Sequence, residues 1–96
     1  MTNRITDALL VARSEHNDDE GLAGLEELSL HQQHLGKLEY VNRVCANLKV
    51  LLLQDNCIAK IENLRRLTRL EYLNLAMNNV ERIEGLERKE RHCYLR

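Results

Sequence analysis

The sequence predicts an α/β solenoid, with short parallel strands side by side on a concave face. The convex face carries 3₁₀ or short helical turns, and a helix caps the N-terminal end. Three observations support this reading. The segments LKVLLLQDNCI (48–58) and LEYLNLAMNNV (70–80) fit one pattern, L-x-x-L-x-L-x-x-N-x-L. Leu48, Leu51, Leu53, Asn56 and Ile58 are repeated as Leu70, Leu73, Leu75, Asn78 and Val80, with an offset of 22 residues at every position. The agreement continues past the pattern, where Ile61 and Leu64 are answered by Ile83 and Leu86. A further copy lies upstream, LEELSLHQQHL (25–35), with Leu25, Leu28, Leu30 and Leu35 in register and Leu38 and Val41 following. A fixed period of this length is the signature of a leucine-rich repeat, which the 3.6-residue period of an amphipathic helix cannot produce.

The first element is a capping helix within residues 1–17. Thr6 is placed to cap it, Asp7 suits the positive N-terminal end of the helix dipole, and Arg13 and His16 suit the other end. Ile5 and Leu10 stand at the two positions of a hydrophobic staple. Leu9, Leu10 and Ala12 form an apolar stripe too short to hold a helix in water, so its role is to cover the bare end of the first repeat. A membrane-surface helix is the alternative, and the low basic charge disfavours it. Residues 18–24 read as a polar linker. Asp18, Asp19 and Glu20 lack the alternating spacing of a calcium loop, which favours a solvated turn.

Three repeats follow, at 25–47, 48–69 and 70–91. The first is 23 residues long rather than 22, with the extra residue near Cys45–Asn47, and it carries Gln33 where the others carry asparagine. In each, strand alternation sends the leucines at the fourth and sixth positions inward and the third, fifth and seventh positions outward onto the concave face. The outward rows are Glu27–Val50–Tyr72, Ser29–Leu52–Asn74 and His31–Gln54–Ala76, with Gln32, Asp55 and Met77 at the rim. Asn56 and Asn78 are placed to satisfy backbone groups where each strand turns away. The later half of each repeat has an apolar residue every third position, as in Ile61, Leu64 and Leu67, which suits 3₁₀ turns with Lys60, Arg65, Arg66 and Arg69 in solvent. The pattern then fails. Lys89 and His92 stand where apolar residues are needed and only Leu95 keeps register, so 86–96 read as a charged, moderately helical tail and 92–96 as an incomplete fourth repeat or tail.

Composition narrows the function. The chain has 96 residues, enough for one small domain, with no Phe or Trp and a net charge of −1. That charge provides no field to gather nucleic acid or an anionic membrane. Three cysteines without C-x-x-C spacing, no signal peptide and no long apolar run point to a reducing cytoplasmic setting. His31, His34, His92, Cys45, Cys57 and Cys93 are ligand types without zinc-site spacing, and no nucleophile–base set or phosphate loop is visible. The expectation is therefore a non-enzymatic module that needs no cofactor or metal. Its partner is a protein on the concave face, contacted by Glu27, Ser29, His31, Val50, Leu52, Gln54, Tyr72, Asn74 and Met77. Val50, Leu52, Tyr72 and Met77 lead that set as unusually apolar residues for an exposed strand face. The end of the third repeat, left uncapped, offers a surface for self-association.

The stretch from Arg4 to about Leu86 also resembles the touch-insensitive-larva-B (tilB) family of leucine-rich-repeat proteins. The matching residues are RIT near the start, EHN at 15–17, LEELSLHQQ at 25–33, KIEN at 60–63 and LEYLNLAMNNVERIEGLE at 70–87. The resemblance covers only the N-terminal part of such proteins, so the chain reads as a fragment or truncated product. It implies a cytoplasmic factor for axonemal dynein arm preassembly, acting in cells with a cilium or flagellum. A phosphatase-regulator-like or dynein-light-chain-like repeat protein is the alternative, since these share the short repeat.

Overall fold

The computed structural model describes residues 1–14, 21–86 and 94–96. Among the described residues, two helices and four strands occur in chain order: α1 (Asp7–Arg13), β1 (Glu27–Ser29), α2 (Val41–Val44), β2 (Val50–Leu52), β3 (Tyr72–Asn74) and β4 (Tyr94–Leu95). A 3₁₀ turn at Gly21–Gly24 precedes β1, within the segment expected to be a polar linker. The strands form one parallel sheet in the order β1-β2-β3-β4. Their register follows the sequence offsets: Leu28 faces Leu51, Leu51 faces Leu73, and Leu73 faces Leu95. Each repeat thus supplies one strand, paired beside that of the next.

Leu28, Leu30, Leu48, Leu51, Leu53, Ile58, Leu64, Leu67 and Leu73 are all buried and share one core. Between strands, asparagine side chains replace backbone ladder bonds. The Asn56 Oδ1 accepts from the backbone N–H of Gln33 (3.0 Å) and Leu35 (2.9 Å), and its Nδ2 donates to the carbonyls of Leu30 (2.9 Å) and Leu53 (3.0 Å). Asn78 repeats this one unit on, accepting from Ile58 N–H at 2.9 Å and donating to Leu53 and Leu75 carbonyls at 2.8 and 3.1 Å. Each amide thus closes its own turn and stitches it to the preceding repeat, giving partners to backbone groups that the strand ladder leaves open. In the first repeat Gln33 turns back to the His31 carbonyl at 3.1 Å instead.

The extra residue of the first repeat has a local cause. There the turn in the later half of the repeat is a full α-turn, with Cys45 N–H bonded to the Val41 carbonyl at 2.9 Å. In the second repeat the turns are tighter, from Leu67 N–H to Leu64 carbonyl (3.0 Å) and Leu70 N–H to Leu67 carbonyl (3.2 Å). An α-turn takes more residues per turn than a 3₁₀ turn, which absorbs the insertion without shifting the next strand.

Left-handed backbone also recurs with the repeat. Gln32, Asp55 and Met77 have φ of 56°, 60° and 60° where the chain leaves each strand. Tyr40, Asn63 and Gly85 follow at 72°, 61° and 71° on the far side. A bulky residue such as Tyr40 pays for that conformation elsewhere: its hydroxyl donates to Asp7 Oδ1 at 2.5 Å, tying it to α1. At Gly85 a side chain would run into the Ile61 backbone carbonyl, so this position admits only glycine.

The N-terminal segment covers the outer side of the first repeat. Thr6 caps α1 by accepting from Leu9 N–H at 3.2 Å, and the staple residues Ile5 and Leu10 are buried in the core. Asn3 pairs with Leu35 as a parallel bridge, and Arg4 meets Glu39 at 3.0 Å. Ala12, placed on the apolar stripe by sequence, is exposed, because a helix of seven residues turns only one narrow face to the core. His16 and the rest of 15–17 lie outside the described residues. At the other end, Tyr94–Leu95 forms a strand paired to β3, in the segment read from the sequence as an incomplete fourth repeat or a tail. Free ladder groups on β3 capture any segment in register, whatever its intrinsic propensity. The intervening 87–93 lie outside the described residues, and with them the readings of Lys89, His92 and Cys93.

Candidate protein-interaction face

The outward side chains of β1, β2 and β3 line up across the sheet because the strands are parallel and in register. The first row places Glu27 beside Val50 and Val50 beside Tyr72; the second places Ser29 beside Leu52 and Leu52 beside Asn74. Val50, Leu52 and Tyr72 are half-buried at the centre of the face, while Glu27 is exposed at its edge. Neighbouring strands therefore cover the flanks of these side chains and leave their tips toward solvent. His31 and Gln54 extend the face beyond the strand ends, and Met77 stands at the rim with 75% of its surface exposed.

Polar groups order the face on one side and leave an acceptor on the other. The Ser29 hydroxyl lies 2.7 Å from His31 Nδ1, and Arg13 reaches over from α1 to place Nη2 3.4 Å from the same nitrogen. Arg13 Nε also donates to the Ser29 carbonyl at 3.2 Å. Arg13, read from the sequence only as a dipole partner within α1, thus edges the second row. No sequence signal shows this, since Ser29 and His31 belong to a different element from Arg13. Asn74 Oδ1 accepts from Ala76 N–H at 3.0 Å, which holds the end of β3. The Gln54 side-chain oxygen is buried without a partner among the described residues.

His31 is held to Ser29, whereas His34 is exposed on the following turn at φ 59°, so the two rings serve different segments. Among the described residues, no three His, Cys, Asp or Glu come together to hold a metal ion. Cys45 lies in the core, and its burial, with the Asp7 carboxylate adding to it, pushes the thiol up to about 11. At neutral pH it is a packed, protonated side chain rather than a nucleophile.

Comparison with known proteins agrees with this architecture. Residues 46–88 match the family of Leucine Rich repeats (2 copies). Over its whole length the fold is similar to a chain of the Drosophila melanogaster SNF/U2A′ complex, at TM-score 0.68 and 19% identity, covering 98% of this chain and 67% of that one. Curated relatives are much closer in sequence. Dynein axonemal assembly factor 11 of Danio rerio is 55% identical over 74 residues, 77% of this chain and 17% of the relative. The same-named protein of Mus musculus is 56% identical over 74 residues, covering 15% of its length. Protein tilB of Drosophila melanogaster is 52% identical over 73 residues, covering 18%. The chain therefore spans less than a fifth of the length of these relatives. It is a leucine-rich-repeat sequence homologous to the N-terminal part of the dynein axonemal assembly factor 11 (tilB) proteins.

Proposed function

We propose that this chain is a non-enzymatic protein-interaction module for the assembly of axonemal dynein arms, and that its concave strand face docks a protein partner. The pathway rests on the identity to relatives that carry the assembly-factor name. The docking face rests on one observation: Val50, Leu52 and Tyr72 form a half-buried apolar patch across β2 and β3, with charged and amide groups around it. An apolar centre with a polar rim is the anatomy of a protein interface, and Tyr is favoured at its energetic centre. In this reading 1–17 cap the first repeat, 18–24 lead into it, and 25–47, 48–69 and 70–91 are the stacked units ahead of 92–96. The location is cytoplasmic, in cells that build a cilium or flagellum.

The test is capture from ciliated cells, with axonemal dynein subunits and their assembly factors quantified by mass spectrometry. Tyr72→Ala should reduce their capture by about tenfold or more, the scale of an interface hot spot, with an unchanged circular dichroism spectrum. Equal capture by Tyr72→Ala, or capture of none of these proteins by the parent chain, refutes the proposal. A second reading is favoured by Ile83, 77% exposed at the end of the third repeat: this end associates with a second copy. Sedimentation across a concentration range tests it, and a monomer at every concentration would remove it.

A further inference from the structure

We infer that Thr68 is a phosphorylation site for an arginine-directed serine/threonine kinase. The chain has five serine and threonine residues, Thr2, Thr6, Ser14, Ser29 and Thr68. Three have committed hydroxyls: Thr6 caps α1, Ser14 is buried and donates to the Val11 carbonyl at 3.0 Å, and Ser29 meets His31 at 2.7 Å. Thr2 is exposed but lacks basic residues before it. Thr68 is exposed on the convex turn of the second repeat and follows Arg65, Arg66 and Leu67, with Arg69 after it.

Guanidiniums two and three residues before an acceptor hydroxyl are what an arginine-directed kinase reads, because its carboxylates take them as charge-assisted, bidentate pairs. Arg65, Arg66 and Arg69 are exposed, and none is in an ion pair among the described residues. Their charges are therefore free for that use. To enter a kinase cleft the turn must open locally. Its backbone bonds include Leu67 N–H to Leu64 carbonyl and Leu70 N–H to Leu67 carbonyl, and Leu64, Leu67 and Leu70 anchor it in the core while Arg65, Arg66, Thr68 and Arg69 stay at the surface. Local opening of this kind precedes global unfolding.

In the reaction, the Thr68 oxygen attacks the γ-phosphorus of ATP. The bond from that phosphorus to the β,γ-bridging oxygen breaks, ADP leaves with the bonding pair, and the hydroxyl proton passes to a carboxylate of the kinase. The product adds roughly −1.5 to −2 charge among three guanidiniums, which re-close on the phosphate. The charge of this basic turn thereby falls by about half or more, while the outward strand face keeps its surface. The site is independent of the docking face proposed above.

The test incubates the full folded chain with an arginine-directed kinase and γ-labelled ATP, and locates the label by fragmentation mass spectrometry. One phosphoryl group per chain on Thr68 is expected. Thr68→Ser should retain labelling, Thr68→Val should abolish it, and Arg65→Ala with Arg66→Ala should slow it by about tenfold or more as two bidentate pairs are lost. Circular dichroism verifies that each variant is folded. Labelling that survives Thr68→Val overturns the inference. So does absence of label on the folded chain, including the case where a free 62–71 peptide is labelled.

Discussion

Leu38, Ile61 and Ile83 occupy the same position in three successive repeats, yet they are 0%, 2% and 77% exposed. The first two belong to the N-terminal side, where every repeat has something packed on its outer edge. The third belongs to a repeat whose later half has no such cover among the described residues. The same gradient runs through Leu35 and Ile58, both buried, to Val80, half-buried, and through Val41 and Leu64 to Leu86. Burial in a solenoid is therefore a property of the neighbour as much as of the residue. The N-terminal end solves its edge with unrelated material: α1 inserts Ile5 and Leu10, Asn3 bridges to Leu35, and Asn47 Nδ2 bonds the Ala23 carbonyl of the 3₁₀ turn at 2.8 Å. The C-terminal end solves only the strand part, since β4 pairs with β3 through Leu75 N–H to Arg96 carbonyl at 2.7 Å.

The largest effect should come from the middle of the stack. Leu53 is fully buried between two repeats, and Leu53→Ala should cost about 2–5 kcal/mol by urea denaturation. A loss below about 1 kcal/mol would show that this layer is not packed between neighbours. The comparison itself is tested most directly by one pair of substitutions. Ile61→Ala should cost about 2–4 kcal/mol, and Ile83→Ala within about 0.5 kcal/mol of nothing, because the second side chain already faces water. Equal losses would mean that the third repeat is covered in solution, and a second copy of the chain is then the first candidate.

The asparagines sharpen the contrast at the level of hydrogen bonds. Asn56→Ala strands the N–H groups of Gln33 and Leu35 and should cost about 1–3 kcal/mol. Asn78→Ala strands Ile58 N–H in a less buried setting and should cost less, measured in the same denaturation series. At the N-terminal edge, Thr6→Ala should cost about 1 kcal/mol through loss of the α1 cap and speed amide exchange in Asp7–Arg13 first. The smallest effect is one of pH. The buried Cys45 thiol is raised to about 11, so the folded chain holds this proton after the unfolded chain has released its own. Its contribution is complete at neutral pH and falls as pH rises through the alkaline range toward 11. Stability measured against pH should therefore drop more steeply in the parent than in Cys45→Ala.

Much of this was legible in the leucine spacing. The offset from Leu51 to Leu73 became the β2–β3 register, and the 23-residue offset from Leu28 to Leu51 became the β1–β2 register. The roles of Asn56 and Asn78 followed from their place at a buried turn. The left-handed series Tyr40, Asn63 and Gly85 was hidden, because three dissimilar residue types share one backbone conformation and only glycine announces it. Arg13 was hidden too, since its partners Ser29 and His31 come from a different element.

What the sequence by itself determined is the period, the strand register and which leucines face inward, because each depends on alternation and spacing along one repeat. Tertiary structure alone decided how deeply each of those residues is buried, that Tyr94–Leu95 pairs as a strand, and that α1 lays Arg13 along the outward rows. These depend on what lies across a gap in space: a free strand edge accepts any backbone in register, and an apolar side chain is buried only where a neighbour removes its water.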